Sequence, residues 1–237
     1  MHTDITASRW IDFRKGIIDC LPTVLGYLSI GFAAGVVERT AGFSMLEIAL
    51  FSLLLYAGSA QFIAAGMWAS GASITAIIFT IFLANLRYLL LSAALAPYFK
   101  GQPVWKNSLL GYQLTDETFA VAANNLTRHG SLNTTWMFGL NLTAYLNWFI
   151  ANIAGGFVGE WIGDPKVYGL DFALPAMFIG LIVLQMQERK EWPLDLSVAA
   201  IAIILTLLFT IFMPVGFSVI LATLCAATWG MGVERWR

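Results

Sequence analysis

Apolar runs of about 20 residues, the length one bilayer crossing needs, recur along the chain at about 17–37, 46–66, 73–97, 107–127, 132–160, 170–187, 195–213 and 214–233. The fourth run is semi-polar. It carries Tyr112-Gln-Leu-Thr-Asp-Glu-Thr-Phe119, which sets Asp116 and Glu117 at the middle of an otherwise spannable segment. A charge at bilayer depth costs roughly 2.5–3.5 kcal/mol on insertion scales, so it is carried only where it faces protein, water or a bound solute. The segment therefore reads as a transport or proton-relay site, or else as a loop or surface helix that does not cross. The pattern predicts an all-α integral membrane protein, a polytopic helical bundle of about eight spans, or seven if the fourth stays out.

Breaker residues refine the picture. Leu21-Pro22 opens the first span, Leu174-Pro175 the sixth, and Tyr56-Ala-Gly-Ser-Ala-Gln61 interrupts the second. Met213-Pro-Val-Gly216 suits a tight turn between the last two. Gly16…Asp19…Leu21-Pro22…Gly26 and Gly169…Asp171…Leu174-Pro175…Gly180 resemble one another, as an inverted repeat with broken helices would. Gly31…Gly35 and Gly155…Gly159…Gly163 have the spacing that lets helix backbones approach, within one subunit or between two. Trp136, Trp161, Trp192, Trp229 and Trp236 fall near span ends, where an aromatic belt anchors.

Residues 1–16 are mixed, with Trp10, Phe13 and Ile17 on one face among Arg9, Asp12, Arg14 and Lys15. They predict an interfacial amphipathic segment rather than a cleavable signal. Residues 17–233 then form a single transmembrane domain, and 234–237 a short tail.

Composition agrees: the chain is 59% hydrophobic and 11% charged, against about 25% charged in a soluble domain. A net charge of −1 argues against nucleic acid as a partner. Cys20 and Cys225 suggest neither a disulfide nor a metal site, and no cofactor is expected. With eight spans and both termini inside, Arg9, Arg14, Lys15, Arg128, Arg189, Lys190, Arg235 and Arg237 are cytoplasmic. Arg39, Lys100, Lys106 and Lys166 are outside, and Arg87 lies within the membrane. That is the bias positive-inside topology requires; seven spans would put Arg189, Lys190, Arg235 and Arg237 outside.

Four polar features stand at membrane depth. Asp116 and Glu117 are neighbours and point about 100° apart on a helix, so one can face a pathway and the other a partner helix. A carboxylate in an apolar site exchanges protons in the physiological range; ionised, it would hold a substrate ammonium. Arg87 stays charged and needs Asp116 or Glu117 as counter-ion, either as a structural clamp or as a site for a substrate carboxylate. Around Gly58, Ser59 and Gln61, freed backbone groups would line a cavity if the helix breaks; otherwise the small residues are a packing interface. Asn141, Tyr145, Trp148 and Asn152 make one polar stripe that lines a pathway or hydrogen-bonds to a neighbouring helix. An enzyme is not expected: His2 and His129 lie outside the spans, there is no His-Glu-x-x-His motif or phosphate loop, and no lysine sits at depth.

The ordered set Leu21-Pro22…Gly26, Gly42-Phe-Ser44…Glu47, Tyr56-Ala-Gly-Ser-Ala-Gln-Phe62, Asn85-Leu-Arg-Tyr88 and Thr115-Asp-Glu-Thr-Phe119 resembles the AzlC family, from Gly16 to about Gly230. The resemblance implies the large subunit of a bacterial branched-chain amino-acid exporter in the inner membrane. Such a protein works with a small AzlD-type membrane subunit, carries apolar L-amino acids such as valine, and draws on the proton gradient. Tyr88 stands where histidine is expected in many relatives, so no titrating role carries over to that position. A zwitterionic substrate needs an anionic, a cationic and an apolar subsite. Substrate binding is accordingly expected of Gly58, Ser59, Gln61, Asn85, Arg87 and Thr115, proton coupling of Asp116 and Glu117, and pathway lining of Tyr112, Asn141, Tyr145 and Asn152. The competing expectation is a non-transporting scaffold or channel subunit whose pathway a partner completes.

Overall fold

A computed structural model describes residues 2–169, 172, 175–176, 179, 182–183, 186, 191–213 and 215–235. Of the described residues 85% are helical, and none of them is in a strand. It divides into two compact units, Met1–Leu174 and Pro175–Arg237. Among the described residues four stretches, Arg9–Thr40, Ile74–Phe99, Trp192–Phe209 and Phe217–Glu234, are long and apolar enough to cross a membrane. The expected all-α membrane architecture is observed.

The first unit is built on α1 (His2–Thr40) and α7 (Thr134–Gly159). α1 has 39 residues, about 58 Å at 1.5 Å per residue, so it exceeds a hydrocarbon core of about 30 Å. It runs unbroken through Gly16, making the expected surface segment and the first span one rod. Pro22, expected to open that span, lies inside the helix without ending it. Gly16 faces Trp136 and Leu140, Gly31 faces Trp148 and Ala151, and Gly35 faces Asn152 and Gly156. Partners advance in the same direction on both helices, so α1 and α7 run parallel. The two small-residue motifs pack against each other inside one chain: a Cβ on Gly35 would overlap Asn152 O, and one on Gly155 would overlap Phe32 O. Gly163 takes no part. Trp136 is not a belt residue. It is buried, with Nε1 donating to Asp19 Oδ2 at 2.8 Å.

Between these helices the chain breaks twice. α2 (Met45–Leu50) starts at a Ser44–Glu47 capping box and passes into a π-helical turn, Phe51–Leu55. Tyr56 then adopts φ 40° and Ala57 is extended, and α3 (Gly58–Ala69) begins. This is the interruption that Tyr56-Ala-Gly-Ser-Ala-Gln61 predicts. α4 (Ile74–Leu95) and a 3₁₀ turn (Ala96–Phe99) follow, exposing Ile78, Phe82, Leu89 and Leu90 as a lipid-facing helix does.

The fourth apolar segment differs from expectation. It is not one continuous span but α5 (Val104–Tyr112) and α6 (Asp116–His129), separated by Gln113–Thr115. Thr115 and Thr118 cap each other's backbone N–H reciprocally, a helix-start signal that overrides the apolar continuity. Asp116 and Glu117 therefore occupy the first turn of a half-helix, where the macrodipole favours negative charge. Gly130 closes α6 at φ 71°.

A 3₁₀ turn, Pro165–Tyr168, follows α7. The second unit contains α8 (Trp192–Phe209) packed against α9 (Val215–Arg235), with Gly230 facing Val198. Asp171, Leu174, Gly180, Arg189, Lys190, Pro214, Trp236 and Arg237 lie outside the described residues, and with them most of the second half of the expected repeat.

Candidate functional site

A broken helix leaves backbone carbonyls without their i+4 donors, and at membrane depth these need partners from elsewhere in the protein. α7 supplies them. Tyr145 Oη donates to Leu53 O at 2.7 Å, just before the first break, and Tyr112 Oη donates to the same oxygen. Asn141 Nδ2 donates to Leu110 O at 3.3 Å, just before the second break. Asn152 Nδ2 donates to Gly31 O at 2.9 Å. The polar stripe of α7 makes interhelical hydrogen bonds, the second of its two expected uses. The left-handed Tyr56, at an expected cost of about 1–3 kcal/mol, is buried, its ring 4.6 Å from that of Tyr145.

The two half-helix starts meet through Arg87 of α4. Its Nη2 lies 3.0 Å from Asp116 Oδ2 in the first turn of α6. The same nitrogen donates to Ser59 Oγ at 2.8 Å in the first turn of α3, and to Tyr88 Oη at 3.2 Å. Of the two expected counter-ions, Asp116 is the one Arg87 meets. Glu117 turns away, as 100° of helix rotation requires, and accepts from Tyr27 Oη at 3.0 Å. Tyr27 also contacts Thr115 Oγ1, and its ring packs edge-on against Trp148 at 5.9 Å between centroids. Side-chain exposure of 27% for Arg87 and 19% for Asp116 leaves the pair open to water or solute.

The remaining expected residues divide. Ser59, Thr115 and Tyr112 border the breaks, and Gly58 abuts the Trp148 ring. Gln61 is fully buried with its amide engaged on both sides: Nε2 donates to Glu38 Oε1 and Asn152 Oδ1, each at 2.8 Å, and Oε1 accepts from Trp148 Nε1 at 2.7 Å. It positions α3 rather than offering a free polar group. Asn85 is half-buried on α4, two residues before Arg87, and its Oδ1 has no hydrogen-bond partner among the described residues. An apolar cavity of about 160 Å³ borders the second break, lined in part by Leu95, Phe99, Leu110, Gly111, Leu114 and Met137.

Sequence reasoning missed Tyr27 and Glu38. Tyr27 sits inside an apolar run as tyrosines often do, and nothing local marks its partner. Glu38 stands beside Arg39, so the pair reads as a charged helix end. Its signal is the helical spacing Gly31, Ala34, Glu38, which places it on the same small-residue face that packs against α7.

A capped, twice-broken helical core around a half-buried arginine–carboxylate pair defines a membrane protein of the kind that handles polar groups at depth. The AzlC protein family matches residues 22–162, and the chain belongs to that family. It is 32% identical to the inner membrane protein YgaZ of Escherichia coli over 184 residues, 76% of this chain and 75% of that one. It is 27% identical to the branched-chain amino acid transport protein AzlC of Bacillus subtilis, over 84% of this chain and 80% of that one. An uncharacterized membrane protein of Archaeoglobus fulgidus is 35% identical over 75% of this chain and 77% of its own length. No solved structure matches the chain.

Proposed function

We propose that this chain exports branched-chain and other small apolar L-amino acids such as valine across the bacterial inner membrane, driven by protons, together with a small AzlD-type membrane subunit. The observation that carries the reading is the Arg87–Asp116 pair, held between two helix starts and half open. A substrate carboxylate competes with Asp116 for the guanidinium and gains the N–H groups at the start of α3, which no side chain caps among the described residues. The displaced Asp116, or Glu117 beside it, then takes the substrate ammonium or a proton. The apolar side chain enters the cavity beside Leu114, whose volume is close to the ~150 Å³ of a protein cavity that takes up benzene. Asn85 and the Tyr112 ring border the route, and Asn141, Tyr145 and Asn152 hold the helices around it.

The parallel run of α1 and α7 supports a topology in which the broken α5–α6 crosses. Three crossings between the two helices make them parallel, whereas two would make them antiparallel. With α2–α3, α4 and α5–α6 each crossing, the first unit spans five times, as the eight-span reading with both termini cytoplasmic requires. The apolar groove of about 660 Å³ between α2, α3 and α4 offers a partner helix a place to pack.

Valine counterflow in proteoliposomes, with this chain alone and with its small partner, tests the reading. Counterflow that leucine competes and lysine does not supports the exporter, and a requirement for the partner supports the pairing. No flux in either preparation of folded protein points to another substrate or to a scaffold.

A further inference from the structure

Glu38, near the C-terminal end of α1, is 1% exposed. Its Oε1 accepts from Gln61, and Gln61 is tied in turn to Asn152 and Trp148. Its other oxygen, Oε2, is buried with no hydrogen-bond partner among the described residues.

No ion pair among the described residues accounts for this carboxyl group. The adjacent Arg39 points to Glu160 Oε1 at 2.5 Å and Phe43 O at 3.0 Å. On the elements packed against α1, each ionisable group is engaged or outward. Glu160, the residue after α7, holds Arg39, and Tyr145 of α7 holds Leu53 O. Glu47 of α2 closes on Ser44. α3 carries no ionisable side chain. Asp116 and Glu117 of α6 meet Arg87 and Tyr27, Arg128 and His129 stand in its last turn, and Lys166 is exposed. An ionised carboxylate buried without a counter-charge is strongly disfavoured even after relaxation. The neutral acid avoids that penalty, accepts from Gln61 at Oε1 and carries its proton on Oε2.

We propose that Glu38 is a proton-binding site of the transport cycle, separate from the Arg87–Asp116–Glu117 cluster and linked to it by Gln61. With the acid neutral, Gln61 fastens α3 to α1 and α7 in the arrangement seen here. On ionisation the O–H bond at Oε2 breaks, the proton passes to water and the carboxylate keeps the electron pair. The new charge draws water into the cluster and rearranges the Gln61 bonds. α3 then shifts about the break at Tyr56–Ala57, and Ser59, two residues before Gln61, moves relative to Arg87. The protonation of one buried group on α1 is thereby read at the substrate end of α3.

The transport half of this inference rests on the exporter reading, and the proton-binding half does not. Infrared pH-difference spectra of the full chain in lipid are expected to contain a deuterium-sensitive carboxylic-acid C=O band. Glu38→Gln should remove it and Asp116→Asn should leave it. Glu38→Met, of similar size, should remove it as well, so the assignment survives if one variant fails to fold. Identical bands in wild type and both Glu38 variants would overturn the proposal whatever the protein carries. In proteoliposomes Glu38→Gln should lower the ratio of pH-driven accumulation to counterflow about tenfold, within the usual range of coupling between sites. An unchanged ratio would overturn the link to transport. The band without any amino-acid flux would support the proton site while removing the exporter reading.

Discussion

Arg87 Nη2 stands 3.0 Å from Asp116 Oδ2 and 2.8 Å from Ser59 Oγ, so one guanidinium joins the first turns of two half-helices from separate parts of the chain. A structural clamp and a substrate site use the same geometry. They differ in what happens when one partner is removed.

Asp116→Asn keeps a hydrogen-bond acceptor beside Arg87 but removes the charge. Leaving a partly buried charge short of its partner costs about 1–3 kcal/mol, at the low end here because both side chains keep some exposure. The expected result is a modest fall in the thermal midpoint in detergent and a loss of counterflow. Loss of folded protein with normal flux in the remainder would make the pair a clamp alone.

Glu117→Gln retains an acceptor for Tyr27 and cannot ionise. If Glu117 carries the coupled proton, the variant loses pH-driven accumulation and keeps exchange of labelled for unlabelled valine. Asp116→Asn measured in parallel shows which of the two neighbours titrates during transport. Normal gradient-driven accumulation in both variants would sink coupling at this pair.

Leu53 O accepts from Tyr112 and Tyr145 together. Either Tyr→Phe change leaves the other hydroxyl in place, so each should cost under about 1 kcal/mol. The double change orphans a carbonyl beside the first break and should cost more than the sum of the singles. Unfolding of the four-member set in detergent measures the excess, and additivity would show that Leu53 O finds water.

The α1–α7 contact makes a contrast in sign. A methyl group on Gly26 would meet none of the described residues within 4 Å, whereas one on Gly35 would collide with Asn152 O. Gly26→Ala should stabilise by up to about 1 kcal/mol through helix propensity. Gly35→Ala should instead lower the folded yield, since the obstacle is backbone rather than a flexible side chain. Thermal unfolding of the two variants side by side checks the difference.

The chain's own pattern determined the solvent, the all-helical class and the place of the first break, because each follows from short-range facts. Long apolar runs require a bilayer, and Tyr56-Ala-Gly-Ser-Ala-Gln61 is rich in residues that tolerate irregular backbone. That Arg87 needs a carboxylate was also legible, since a guanidinium at depth has few alternatives. The second break was legible only in part: Thr115 and Thr118 form a cap, but a semi-polar run between apolar stretches reads equally as one span.

Tertiary structure decided the rest. Asp116 and Glu117 are chemically similar neighbours, and only the placing of α4 and α1 around α6 gives one to Arg87 and the other to Tyr27. Glu38 and Arg39 look like one exposed pair, yet adjacent helix positions point about 100° apart, and the close α1–α7 packing buries the first while leaving the second to reach Glu160. Sequence spacing fixes which residues share a helix face. What that face meets depends on partners dozens of residues away, and those contacts exist only once the helices have packed.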